Sequence, residues 1–294
     1  MWKPTGHWTF TLAELIKKFN LFIKMKQLNN FKESLRLRGL SLNTIEAYAD
    51  ANRKFLDYIK KDPVDVKSRD IKRYIINMLD RKQKPKTINL NIAALKSFYD
   101  DYRGRRLFVK IRRLKLEKSM PNVLSKYELK AMIDSVENKK HRLAIKFLYS
   151  TGIRVGELVK VKIQDLDLEN GFLRVIQGKG KKDRITIISK ELCREIKEFI
   201  KPKQKYLFES SRGGHLTIRS IQEIIKKAAK KAKIKRRVYP HALRASFATH
   251  LYEDGIQLQK IQKLMGHADW KTTLEYAKTA RVGISDIKNP LDSI

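Results

Sequence analysis

Cysteine is almost missing from this chain. Cys193 is the only one in 294 residues, so no internal disulfide and no cysteine metal cluster can form. A lone cysteine amid apolar neighbours is expected to be a small core residue. Long apolar runs are missing too. No stretch approaches the roughly eighteen residues that a membrane-spanning helix requires. Residues 1–23 mix apolar side chains with Lys17 and Lys18, which is not the continuous core of a signal peptide. These absences point to a cytoplasmic protein with no membrane partner. Acidic side chains are scarce relative to basic ones, 31 against 66, for a formal net charge of +35. The excess is shared almost equally by the residues before and after Met120, so it is no local tail. Self-repulsion on this scale calls for a polyanionic partner, and nucleic acid, with double-stranded DNA foremost, is the obvious one.

What is present is enough apolar side chain, 42% of residues, for one or two sizeable domains. A helix is expected around Thr11–Lys26, within an N-terminal extension over residues 1–30. Residues 31–103 then read as a small all-helical domain. Gly39 and Ser41 announce a helix start, and Leu42, Ile45, Tyr48, Phe55 and Ile59 follow at helical spacing before Pro63. Ser68 is expected to cap a second helix with Ile71, Ile75 and Leu79 inside. Pro85 and Thr87 open a third that buries Ile88, Ile92, Leu95 and Tyr99. Residues 104–122 are rich in Arg and Lys and read as a flexible basic linker. A second domain then occupies residues 123–294. It begins with a capped helix at Leu124–Glu128 and another over His141–Ser150. Further helices are expected at Lys190–Ile200 and Ile218–Ala232, the latter running into a basic stretch from Lys226 to Arg237.

Three motifs in the second domain carry chemistry. The first is Thr151-Gly152-Ile153-Arg154-Val155-Gly156-Glu157-Leu158, in which Gly152 breaks one helix and Arg154 starts the next. The second is a hairpin: a strand over Gly171–Ile176, a glycine- and lysine-rich turn at Gly178–Lys182, and a returning strand from Arg184 to Ile188. Its spacing fails the phosphate-cradling nucleotide loop, and no helix follows directly. The third runs from Tyr239 to Tyr276. His241 and Arg244 are three apart, on one side of a helix whose Leu243, Phe247 and Leu251 face the core. Gly255 stops that helix. Leu258, Ile261, Leu264 and Met265 form a second stripe, Gly266 hands His267 to a turn, and Tyr276 follows nine residues on.

His-x-x-Arg, then Gly-His, then Tyr resembles the active-site signature of the tyrosine recombinases, the lambda-integrase family. Residues 243–250 resemble the Xer-type branch, archaeal Xer proteins above all. Ala245 departs from it where many members carry His, but that position lies outside the family's catalytic set. The resemblance implies a mainly α fold with a small β-hairpin or sheet, in two domains: a helical core-binding domain and an α/β catalytic domain with a C-terminal tail. It implies a catalytic set of Arg154, Lys179, His241, Arg244, His267 and the nucleophile Tyr276, with Lys181 and Lys182 as backbone contacts.

The chemistry suits those residue types. Guanidinium forks neutralise the oxygens of a phosphodiester, imidazoles donate hydrogen bonds or move protons, and a tyrosine hydroxyl can attack phosphorus. By the resemblance, Lys179 protonates the leaving 5′-oxygen. The product is a 3′-phosphotyrosyl link, resealed by another strand's 5′-hydroxyl without ATP, metal or other cofactor. The family implies a homo-tetramer acting on two DNA duplexes through a Holliday junction, at a dif-like site, associated with the nucleoid. Chromosome-dimer resolution is the favoured role, with viral or plasmid integration as the alternative. The rivals are a type IB topoisomerase, which shares the Arg, Lys and Tyr chemistry, and a non-catalytic DNA-binding protein. A zinc site from His241, His250 and His267 lacks tight ligand spacing, and His250 is expected to be structural.

Overall fold

The computed structural model describes residues 12–116, 121–176, 183–266 and 270–277, which divide between two compact units. In the first unit, α1 (Leu12–Leu37), α2 (Leu42–Ile59), α3 (Ser68–Asp80) and α4 (Pro85–Lys96) precede a π-helical turn at Ser97–Tyr102. Ser41 Oγ accepts the Thr44 N–H at the start of α2, and Pro85 sits in the first turn of α4, where its missing N–H is harmless. Phe31, Phe55, Leu56, Ile71, Ile88, Leu95, Phe98 and Tyr99 are fully buried together. Phe31 and Phe98 meet edge to face at 5.1 Å. Asn52 Nδ2 donates to the Ala94 carbonyl at 3.1 Å, tying α2 to α4.

Four details depart from the sequence reading. The helix expected over Thr11–Lys26 runs on to Leu37, because Leu28, Phe31 and Leu35 continue its apolar spacing into the core. Ser68 is the first helical residue rather than the cap; the N-cap is Lys67, whose N–H is accepted by Asp70 in the first turn at 3.0 Å. Met78 is buried in α3 where Leu79 was expected to be. The basic segment after Arg103 is also held down. Phe108 is buried in the first unit's core, with Leu107, Ile111 and Leu114 against it. Asn89 bonds both the N–H and the carbonyl of Leu114.

The second unit contains α5 (Lys126–Asp134), α6 (Lys139–Thr151), the one-turn α7 (Val155–Leu158) and a 3-10 turn at Ile163–Asp165. The strands β1 (Leu166–Asp167), β2 (Phe172–Val175) and β3 (Arg184–Ile187) follow, then α8 (Lys190–Phe199), α9 (Ile218–Lys231), α10 (Pro240–Glu253), α11 (Leu258–Met265) and α12 (Trp270–Ala277). The strands pair antiparallel in the order β1-β2-β3, with Leu173 opposite Thr186 and Val175 opposite Arg184. The hairpin was legible; β1, two residues long, was not.

Residues 242–250 of α10 are buried on every side, which is how a central helix behaves. One side meets the main core of Phe147, Leu148, Leu173, Ile196, Phe208, Ile225 and Leu243, and Cys193 is buried in the same cluster. The other side meets α11 and α12 through Phe247, Ala248, Ile261, Met265 and Tyr276. No helix among the described residues is long and apolar enough to cross a membrane.

Candidate active site

Gly152 sets the geometry. It ends α6 at φ 61°, the left-handed region that glycine adopts without strain. A side chain there would run into the Phe247 ring. The chain then extends through Ile153 to Arg154, the N-cap of α7, and Glu157 closes that turn. Glu157 Oε2 accepts the Arg154 N–H at 2.8 Å, and Oε1 accepts from Arg154 Nη1 at 3.0 Å. The Arg154 side chain keeps 29% of its surface in solvent.

Arg244 rises from the next-door α10 and is 1% exposed. Its guanidinium is fixed by two backbone carbonyls: Nη1 donates to Gly152 O, and Nη2 donates to Met265 O at 2.6 Å. The residue that ends α6 and the residue that ends α11 therefore orient the same fork. Burial and the neighbouring Arg154 both disfavour its charge and bring its pKa down to about 10, while Tyr276 and Glu157 oppose that.

Tyr276, in α12, is 3% exposed and hydrogen-bonded to Arg244. Burial pushes its hydroxyl above the ordinary value, and the charges of Arg244 and Arg154 pull it back. Glu157 is the third charged group. Burial pushes its carboxyl up, but hydrogen bonds from Arg184 and Arg154 outweigh that and hold it at about 2.

Arg154, Arg244 and Tyr276 thus converge from three elements, with Arg244 held by carbonyls at two helix ends, Arg154 by Glu157, and Tyr276 bonded to Arg244. His241 stands exposed in the first turn of α10, three residues before Arg244. Lys179 and His267 lie outside the described residues. His250 is buried, and its Nδ1 shares a 2.9 Å hydrogen bond with Tyr149 Oη, a structural contact. Burial lowers its pKa, with Glu253 opposing. Among the described residues, no group of three or more His, Cys, Asp or Glu side chains could hold a metal ion.

Sequence reasoning passed over two members of this cluster. Glu157 was quoted only as context, although Arg-x-x-Glu at a helix start is the spacing of a capping interaction. Arg184 was read as the first residue of a strand. Alternation along β3 places Arg184 and Thr186 on the inner face and Ile185 and Ile187 on the outer. A charged residue on an inner face needs a partner, and here it is Glu157.

The chain is similar to known proteins over most of its length. Residues 122–281 match the phage integrase family, and residues 28–108 match the phage integrase N-terminal SAM-like domain. Tyrosine recombinase XerA of Pyrococcus furiosus is 36% identical over 264 residues, covering 87% of this chain and 90% of the relative. The crystal structure of XerA recombinase aligns with a TM-score of 0.50 at 31% identity, covering 86% of this chain and 93% of that one. A lambda integrase tetramer bound to a Holliday junction shares the fold, with a TM-score of 0.71 at 19% identity, covering 93% of this chain and 89% of that one.

Proposed function

The chain belongs to the phage integrase family as a Xer-type tyrosine recombinase, and we propose that Tyr276 is the nucleophile with which it cuts and rejoins DNA at a specific site. The observation that carries this reading is the convergence of Tyr276, Arg244 and Arg154 in one cluster, with Arg244 hydrogen-bonded to Tyr276 and Arg154 close enough to act on both.

In the proposed reaction, Arg154 and Arg244 bind the non-bridging oxygens of one phosphodiester and neutralise the charge that otherwise repels an attacking oxygen. The Tyr276 oxygen attacks phosphorus, forming a phosphorus–oxygen bond as the bond to the 5′-oxygen breaks. The tyrosine proton leaves to His241 or His267. The departing 5′-oxygen takes a proton from Lys179 and becomes a free hydroxyl. Burial holds the Tyr276 pKa above its ordinary value, so the free protein keeps this hydroxyl protonated. The 3′-phosphotyrosyl bond retains the energy of the cleaved linkage. A 5′-hydroxyl from a second duplex then attacks it and releases Tyr276. No nucleotide triphosphate or metal is required. Four copies acting in pairs on two duplexes would carry the exchange through a Holliday junction.

The partner is double-stranded DNA carrying a dif-like site, and the role is resolution of chromosome dimers at the nucleoid. Residues 31–103 would bind one face of the duplex, residues 104–122 would serve as the basic connection, and residues 123–294 would cut. Likeness over most of the length to relatives named tyrosine recombinase XerA and XerD supports a recombinase acting at a specific site. Mapping covalent protein–DNA adducts across the host genome identifies the site. One site near the replication terminus is expected, whereas a site flanking a mobile element would assign the protein to integration.

The nucleophile is tested on a synthetic duplex carrying that site, nicked close to the scissile phosphate so that the released strand is lost. The wild type should accumulate an adduct that survives SDS. Tyr276→Phe should bind the duplex with unchanged affinity and form none. An adduct persisting in Tyr276→Phe would show that another residue attacks.

A further inference from the structure

Arg184 has no place in the reaction above, yet it is among the most constrained cations in the second unit. Its side chain is 8% exposed, against 9% for Glu157. Arg184 Nη1 donates to Glu157 Oε1 at 3.0 Å, and Arg184 Nη2 to Oε2 at 2.6 Å, a two-pronged pair. Its Nε donates to the Leu264 carbonyl at 3.0 Å, in the last turn of α11. The side chain passes so close beneath Gly266 that a β-carbon there would lie 2.5 Å from Arg184 Cδ. One side chain therefore joins β3, the cap of α7 and the end of α11.

The charges matter as much as the connections. A single carboxylate stands between two guanidinium groups, because Glu157 also accepts from Arg154. Without Arg184, the negative charge of Glu157 would be matched by Arg154 alone. A guanidinium already neutralised by a buried carboxylate attracts a phosphate weakly. With Arg184 in place the Glu157 charge is taken up twice over, and Arg154, the more exposed of the two arginines, keeps a surplus to offer an anion.

We propose that Arg184 is a positioning residue for strand cleavage, which holds Glu157 and takes up its charge so that Arg154 stays oriented and cationic toward the scissile phosphate. This rests on the reading of Arg154 as a ligand of that phosphate. It differs from a purely structural ion pair, whose loss would weaken the fold or slow cleavage whatever the charge on the substrate.

The test varies that charge. Two nicked duplexes carrying the mapped site are compared, one with the natural phosphodiester at the scissile position and one with an uncharged methylphosphonate. Arg184→Met should bind both with affinity within about threefold of the wild type, because the Arg184 side chain is buried and already engaged by Glu157 and Leu264. On the phosphodiester it should form the tyrosyl adduct at least about tenfold more slowly, as expected when charge stabilisation of the transition state is impaired. On the methylphosphonate the deficit should shrink to about threefold or less, since no anion remains to be neutralised. Arg154→Ala should behave in the same way. Equal slowing of Arg184→Met on both substrates would overturn the proposal, as would an unchanged rate on the phosphodiester. If Arg154→Ala is itself slowed equally on both, the reading of Arg154 fails and takes the proposal with it. If Arg154→Ala is rescued while Arg184→Met is not, that reading stands and only the proposal falls. Should Arg184→Met not fold, Arg184→Lys, which keeps a charge but loses the fork, is judged by the same ratio between substrates.

Discussion

A carboxylate beside two arginines is a stability device as well as an organiser of the site, and its sign can be worked out. Burial alone would raise the pKa of Glu157, but the Arg184 and Arg154 hydrogen bonds bring it to about 2, below the ordinary 4.5. A depressed carboxyl stabilises the fold above the unfolded value and loses that contribution as pH falls toward the folded one. At neutral pH the contribution is on the order of 3 kcal/mol. Glu157→Gln should therefore unfold more easily than the wild type at pH 7. The gap should narrow as the pH drops from about 4.5 toward 2, where the wild-type carboxyl also becomes neutral. Thermal unfolding of both proteins across that range checks it, and a gap that stays constant with pH would mean that packing, not charge, carries the effect. Arg244 shows the opposite side of burial: its charge is disfavoured there, and its bonds to the Gly152 and Met265 carbonyls are what hold it in place.

Those carbonyls belong to helix ends, and at the scale of elements the site is an arrangement of terminations. Gly152 ends α6 with positive φ, and Gly266 ends α11 in the same way at φ 62°. Gly152→Ala should lower stability by about 2–4 kcal/mol, the sum of a left-handed backbone penalty and overpacking against Phe247. It should also slow cleavage by more than the loss of folded protein explains, because the Gly152 carbonyl orients Arg244. Denaturation and single-turnover adduct formation measure the two effects separately, and a variant of wild-type stability would contradict the packing described here. The helix stops were legible beforehand because glycine at a helix end has a local cause. Arg154, Arg244 and Tyr276 were legible for a similar reason, since each sits in a short pattern with its own neighbours. The Arg184–Glu157 pair was not legible. Its partners are 27 residues apart, and only the register of the hairpin brings them together. The docking of residues 105–114 was hidden differently. Their Arg and Lys content suggested a free connector, whereas Leu107, Phe108, Ile111 and Leu114 between those charges supply an apolar face. The sequence misplaces the start of α3 because Ser68 is a good capping residue in general, whereas here Lys67 is the N-cap and Asp70, three positions on, accepts its N–H.

Over the whole molecule, an excess of 35 positive charges has to be met by phosphates, but not every lysine has a charge to offer. In the basic stretch that begins in the last turns of α9, Lys231 is paired with Glu137 at 2.8 Å and Arg236 with Glu128. Lys233 and Lys235 are exposed and make no salt bridge among the described residues. A cation that is already paired releases fewer counterions when DNA arrives, because it must give up or share its carboxylate. Binding should therefore weaken steeply with salt, with a log–log slope of roughly 0.9 per neutralised phosphate. Replacing Lys233 and Lys235 together by Gln should reduce the magnitude of that slope by up to about two, while Lys231→Gln should change it by distinctly less than one. Titrations of a labelled duplex at several salt concentrations give these slopes directly. If the paired lysine mattered as much as the unpaired ones, the Lys231–Glu137 contact would have no hold on the charge in solution, as weak surface pairs often do not. A slope near zero for the intact chain would mean that the charge excess does not face DNA.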